Sequence, residues 1–174
     1  MCKCLWGCVL VLVLAPSGFG GTTPPQKSLT LPFATDADLA ALNGRQDLRE
    51  LNLKMGGVTD AGLEYLKEMK GLQSLNLSDC FDVTDAGLEH LKEMKDLRSL
   101  NLLNTHVTDA GLAYLRKMKD LQELVLTNTQ VTDDGLEYLK GMKSLKTLQL
   151  FKTKVTRGGA AALRADLPHA KVWR

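Results

Sequence analysis

Apolar positions return along this chain on a fixed beat. From Val58 to Leu77 the order is V-T-D-x-G-L-x-x-L-x-x-M-x-x-L-x-x-L-x-L, and it starts again at Val83, Val107 and Val131, with Val155 opening a partial last copy. The steps between these valines are 25, 24, 24 and 24 residues. A fixed period in the twenties predicts a solenoid. Each copy holds two rhythms. Leu112, Leu115 and Met118 recur every three residues, with Ala110 and Gly111 close by, which predicts one stripe of a short helix. Thr108 suits the N-cap, and Asp109 suits the first turn, against the positive end of the helix dipole. Leu121-x-x-Leu124-x-Leu126 then ends in two-residue alternation, a short strand with Leu124 and Leu126 facing inward.

A chain that repeats strand, turn, helix and return runs every strand in the same direction. Paired strands lie about 4.8 Å apart, whereas packed helices need about 8–10 Å. The mismatch predicts a curved stack with strands on the inside. Gly62, Gly87, Gly111 and Gly135 recur within the helical first turn, where glycine costs about 1 kcal/mol against alanine. A repeated cost of that kind points to a close backbone approach at this position. The expected fold class is therefore α/β, a right-handed solenoid with parallel strands on the concave face and short helices on the convex face.

The segments LQSLNLSDC, LRSLNLLNT, LQELVLTNT and LKTLQLFKT match L-x-x-L-x-L-x-x-(N/C/T), and the chain resembles the leucine-rich repeat family. The VTDAGL that follows is similar to the cysteine-containing and ribonuclease inhibitor-like repeats, and to repeats of many bacterial proteins. The resemblance covers Phe33 to Arg174 and implies a horseshoe segment. It also implies that the ninth position, here Gly56, Cys80, Thr105, Thr129 and Thr153, bonds turn backbone between neighbouring repeats, which Gly56 cannot do with a side chain. Residues 33–57 are a degenerate capping repeat, in which Ala34 to Leu39 take the place of VTDAGL. Residues 58–154 are four full repeats. Residues 155–174 are a C-terminal cap, with a last helix from Thr156 to Ala165, a break at Leu167-Pro168, and Ala170 to Trp173 placed to cover the exposed sheet edge.

The chain has 174 residues, the size of one domain. With 22 basic and 20 acidic residues the net charge is +2, so no global field points to nucleic acid. The N-terminus changes the picture. Lys3 is followed by an apolar run of 11 residues from Leu5 to Ala15, then by Gly18-Phe19-Gly20. This pattern predicts a signal peptide over residues 1–20, because the run is shorter than the roughly 20 residues that span a bilayer. Residues 21–32, with three of the five prolines, read as a linker. Cys2, Cys4 and Cys8 leave with the signal, so Cys80 remains alone and no internal disulfide is expected. The mature chain is expected to be secreted or periplasmic, without a membrane span.

The candidate binding surface is the inner face of the sheet. One column holds Asn52, Asn76, Asn101, Val125 and Gln149, and beside it lie Glu50, Ser74, Ser99, Glu123 and Thr147. Past the strands come Lys54, Ser78, Leu103, Thr127 and Phe151. Leu103, Val125 and Phe151 are apolar among polar neighbours, the pattern of a hot spot inside a polar rim. Asn52, Asn76, Asn101, Leu103, Glu123, Val125, Gln149 and Phe151 are the expected partner-binding residues, and the partner is expected to be a protein. A second reading uses the helical side, where Lys67, Lys92, Arg116 and Lys140 align, as do Lys70, Lys95, Lys119 and Lys143. That rail would suit a polysaccharide or an anionic surface, but glutamates at Glu64, Glu89 and Glu137 predict ordinary helix-surface pairs. A third reading is stoichiometric inhibition of a hydrolase. Tyr65, His90, Tyr114 and Tyr138 read as padding between helices. Asp60, Asp85, Asp109 and Asp133 read as helix caps rather than calcium ligands, since whole repeats separate them. His90, His106 and His169 lack metal-ligand spacing, and the glycines form no phosphate-binding loop. No catalytic, cofactor or metal residues are assigned, and an enzyme is not expected.

Overall fold

The computed structural model describes residues 27–174. The expected signal peptide lies outside the described residues. Seven three-residue strands form one sheet in chain order: β1 (Ser28–Thr30), β2 (Glu50–Asn52), β3 (Ser74–Asn76), β4 (Ser99–Asn101), β5 (Glu123–Val125), β6 (Thr147–Gln149) and β7 (Lys171–Trp173). Every pair is parallel and in strict register, so Leu29, Leu51, Leu75, Leu100, Leu124, Leu148 and Val172 stand in one row. Between them run α1 (Asp36–Ala41), α2 (Asp60–Leu63), α3 (Asp85–Leu91), α4 (Asp109–Leu115), α5 (Asp133–Leu136) and α6 (Arg157–Asp166), and a 3-10 turn at Glu64–Leu66 prolongs α2. The sheet is open and unclosed, and each helix packs on its neighbours.

The core lies between the sheet and the helices. In the repeat around α4, Val107, Leu112, Leu115, Met118, Leu121, Leu124 and Leu126 are all fully buried, and the neighbouring repeats bury the same positions. Strand and helix thus spend one set of leucines on one continuous core, as stacked repeats must.

Three boundaries and bonds differ from the sequence reading. The sheet begins earlier: Ser28–Thr30, placed in the linker, pair with Glu50–Asn52, and Leu29 and Leu31 pack on the core. The step from Leu29 to Leu51 is 22 residues instead of 24, and the prolines around it hide the pattern. At the other end, Lys171–Trp173 cover the edge of β6 as expected, and they do so as a further parallel strand of the sheet, which the sequence reading did not assign. The ninth position also behaves differently. The hydroxyls of Thr105, Thr129 and Thr153 donate to the carbonyls of Leu102, Leu126 and Leu150 within their own repeats, at 2.8, 2.7 and 2.7 Å. Only the Cys80 thiol reaches the preceding repeat, donating to the Leu53 carbonyl at 3.3 Å. At Gly56 a Cβ would lie 2.8 Å from the Ala34 carbonyl oxygen, so no side chain fits there.

The T-D-x-G motif makes the join between repeats. Asp60 accepts from the amide and hydroxyl of Thr84, one repeat on, at 2.8 and 2.6 Å. Asp36 does the same for Thr59, Asp85 for Thr108, Asp109 for Thr132 and Asp133 for Thr156. The threonine is an N-cap at the same time: Thr84 Oγ1 accepts from the Ala86 amide at 3.3 Å while its hydrogen goes to Asp60. The glycine three residues after each of these threonines supplies room for the aspartate. A Cβ at Gly87 would overlap the Asp60 carboxylate and the Leu63 side chain, and at Gly111 it would overlap the Asp85 carboxylate.

Two predictions follow from this join. Gly111→Ala should destabilise by about 1–3 kcal/mol through overpacking, although helix propensity alone favours alanine. In an Asp85→Ala background the loss should shrink, which a double-mutant cycle by urea denaturation will measure. The second concerns pH. The hydroxyl and then the amide of Thr156 hold the Asp133 carboxyl below its ordinary value, with a smaller contribution from Arg174. A depressed folded-state pKa stabilises the fold above the unfolded pKa, and that stabilisation is lost as pH falls through the folded value. Thr156→Val should therefore be less stable than wild type at neutral pH, and the gap should narrow on acidification.

Candidate partner-binding face

Alternation in three-residue strands leaves only the middle residue on the core side, so the first and third face away from it. The residues expected at the binding face all lie there or just beyond. The first column runs Glu50, Ser74, Ser99, Glu123, Thr147 and Lys171, and the second runs Asn52, Asn76, Asn101, Val125, Gln149 and Trp173. Lys54, Ser78, Leu103, Thr127 and Phe151 follow two residues later, each next to its counterpart in the neighbouring turn.

The two ends of this face differ in chemistry. Toward the N-terminus the asparagines are partly engaged with their own backbone. Oδ1 of Asn52, Asn76 and Asn101 accepts from the amides of Lys54, Ser78 and Leu103 at 3.2, 2.9 and 3.0 Å. This Asx-type bond turns the chain out of the strand and does not use the Nδ2 donors. Ser99 donates to Glu123 across the strands at 3.2 Å. Toward the C-terminus apolar residues enter the second and third columns between polar ones. Val125 and Leu103 are half-buried, and Phe151 is 43% exposed. Thr127, between Leu103 and Phe151 in its column, has a buried hydroxyl with no partner among the described residues. Trp173, 52% exposed, stands in register with Gln149 and shares its face. Sequence reasoning assigned Trp173 to an edge cover. Counting 24 residues on from Gln149 reaches it, so the repeat period itself held the signal.

The other candidate groups are occupied by structural contacts. Lys67, Lys92 and Lys140 pair with Glu64, Glu89 and Glu137, three residues earlier, at 2.9, 3.0 and 2.5 Å. Their glutamate partners raise all three lysine pKa values. Arg116, with Ala113 three residues before it, lacks that pairing. Tyr114 packs against the core, while Tyr65 and Tyr138 are over a third exposed. The repeated aspartates serve the join between repeats. His106 Nδ1 meets the Phe81 carbonyl and His169 Nε2 the Lys143 carbonyl, each at 2.5 Å. Cys80 is buried, and desolvation pushes its thiol pKa up, away from the reactive thiolate. No described helix is long and apolar enough to cross a membrane.

The family model described as a leucine-rich repeat matches residues 46–67, 72–92 and 117–140, segments that each begin in the stretch between a helix and the next strand of this stack. The chain is built of leucine-rich repeats. Solved structures agree with that fold. An internalin of Listeria monocytogenes superposes with a TM-score of 0.66 at 22% identity, over 76% of this chain and 36% of that one. Internalin C2 of the same organism gives 0.63 at 22% identity, over 84% and 69%. A leucine-rich repeat protein of Leptospira interrogans gives 0.60 at 22%, over 75% and 32%. This chain thus spans about a third of the first and third of these structures. The curated proteins contain no match to it.

These leucine-rich repeats predict a structural share in the asparagine column. Asn76→Ala should cost about 0.5–1.5 kcal/mol of stability by leaving the Ser78 amide without its acceptor. Gln149→Ala, which removes no such bond, should be close to neutral in the same denaturation assay.

Proposed function

We propose that this protein is a non-catalytic recognition module that holds a protein partner on its concave sheet, with the C-terminal half of the face as the anchor. Leucine-rich repeat proteins generally mediate protein–protein interaction, and the reading extends that general role to a particular surface. One observation carries it. Leu103, Val125, Phe151 and Trp173 lie in adjoining columns between β4 and β7 with Glu123, Thr127, Thr147 and Gln149 among them, while the N-terminal end of the same columns holds only Glu50, Asn52, Lys54, Ser74, Asn76 and Ser78. Large apolar side chains gathered inside a polar surround are what a buried interface core requires. We further propose that the chain is exported, on the strength of its N-terminal pattern.

The basic helical side supports a polyanion-binding role less well, because Lys67, Lys92 and Lys140 already pair with glutamate. Crosslinking in the native compartment will identify the partner, and titration calorimetry will measure it. Phe151→Asp and Trp173→Asp should each weaken binding by about 2 kcal/mol or more, and Lys95→Glu with Lys119→Glu should leave it within about twofold. Binding that survives the first pair and fails with the second would transfer the site to the helical side.

A further inference from the structure

The loops that leave β1, β2 and β3 carry a second exposed apolar cluster, at the opposite end from Trp173. Phe33 is 58% exposed, Met55 45% and Phe81 58%. Three separate irregularities bring them together. Phe33 and Met55 take the left-handed backbone position of their turns, with φ of 62° and 59°. The same position later holds Asp79, Asn104, Asn128 and Lys152; aspartate and asparagine tolerate it, whereas bulky side chains there are uncommon. Phe81 owes its place to an extra residue. One residue links the ninth position to the next valine at Gly57, His106, Gln130 and Lys154, but two do so at Phe81 and Asp82. That insertion accounts for the single 25-residue step. The His106 ring holds the inserted loop through the Phe81 carbonyl.

The turns are adjacent: the Phe33 amide donates to the Lys54 carbonyl at 3.4 Å, and the Met55 amide to the Ser78 carbonyl at 2.9 Å. Met55 and Phe81 border a groove of ≈ 590 Å³ with Gly56 and Gly57 beside them, where a Cβ at Gly57 would meet nothing. Lys54 stands on this groove together with Asp79 and Asp82, so the rim carries two acids and one base. The size falls in the range of pockets that take a small ligand, about 300–1,000 Å³. Three exposed side chains fall well short of the roughly 800 Å² per partner that a stable pair of globular proteins buries.

We infer that this groove is a second docking site, distinct from the sheet face, which takes a short segment of a partner protein with an apolar side chain flanked by lysine or arginine. The apolar chain enters between Met55 and Phe81, and the cation faces Asp79 and Asp82. Backbone strain at a position where asparagine would fit better is consistent with selection for the side chain rather than for the turn.

The test titrates acetyl-Lys-Phe-Leu-Lys-amide into nitrogen-labelled protein and follows backbone amide resonances. Saturable shifts are expected at Lys54 to Gly57 and Asp79 to Asp82. Acetyl-Glu-Phe-Leu-Glu-amide should bind at least about threefold more weakly. Phe81→Ser and Met55→Asn should each weaken the lysine peptide by a similar factor or more. Met55→Asn should also raise the melting temperature, because asparagine accepts the left-handed turn, so loss of binding with gain of stability separates docking from folding. No saturable shift at these amides, equal affinity for both peptides, or binding unchanged in both variants would each overturn the proposal.

Discussion

Each turn of this solenoid is fixed to the next by a carboxylate that belongs to one repeat and serves another. Asp60 closes on Thr84, Asp85 on Thr108, Asp109 on Thr132. The leucines make burial favourable, and a one-residue slip would already turn the middle leucine of a strand to solvent. The aspartate contact does not tolerate such a slip either, since its geometry asks for an amide and a hydroxyl of the same threonine and for a glycine where the carboxylate passes. Hydrophobic burial therefore supplies most of the stability, and burial and the polar contact together select the register. In-register parallel strands, and with them the straight columns of the open face, follow from that selection.

The columns give the face its chemical grain. Because side chains at equivalent positions stand side by side, a substitution in one repeat changes one square of a grid and leaves the frame alone. Asn52, Asn76 and Asn101 remain close to the consensus and bond their own turns. Val125, Phe151 and Trp173 depart from it and present apolar surface. The same logic applies at the loop edge, where Phe33 and Met55 depart from the Asp and Asn found at this position in the next three turns and Phe81 is an added residue.

The sequence reading recovered whatever the repeat shows within a single copy. The leucine stripe, the strand alternation, the threonine caps and the parallel stack were legible because each depends on residues a few positions apart. Asp60 was read as a partner of its own helix, since its real partner, Thr84, lies 24 residues away and pairs with it only once the stack exists. Gly87 was taken to mark a close backbone approach, but the groups that approach are side chains of the preceding repeat, Asp60 and Leu63. Strand β1 was missed because its repeat is two residues short, and Trp173 because the final strand was given the task of covering an edge. The candidate face was found as a set of columns, yet its aromatic end emerged only when β7 joined the sheet.

The join has an implication for how such a protein changes over time. Since aspartate, threonine and glycine sit at the same places in successive units, a copied or deleted unit meets its neighbours through contacts already present. Lengthening the array needs no newly invented interface, only an in-frame duplication of about two dozen codons. The spacing between the polar and aromatic ends of the face could thereby be adjusted in whole steps, while the chemistry at each end is inherited intact.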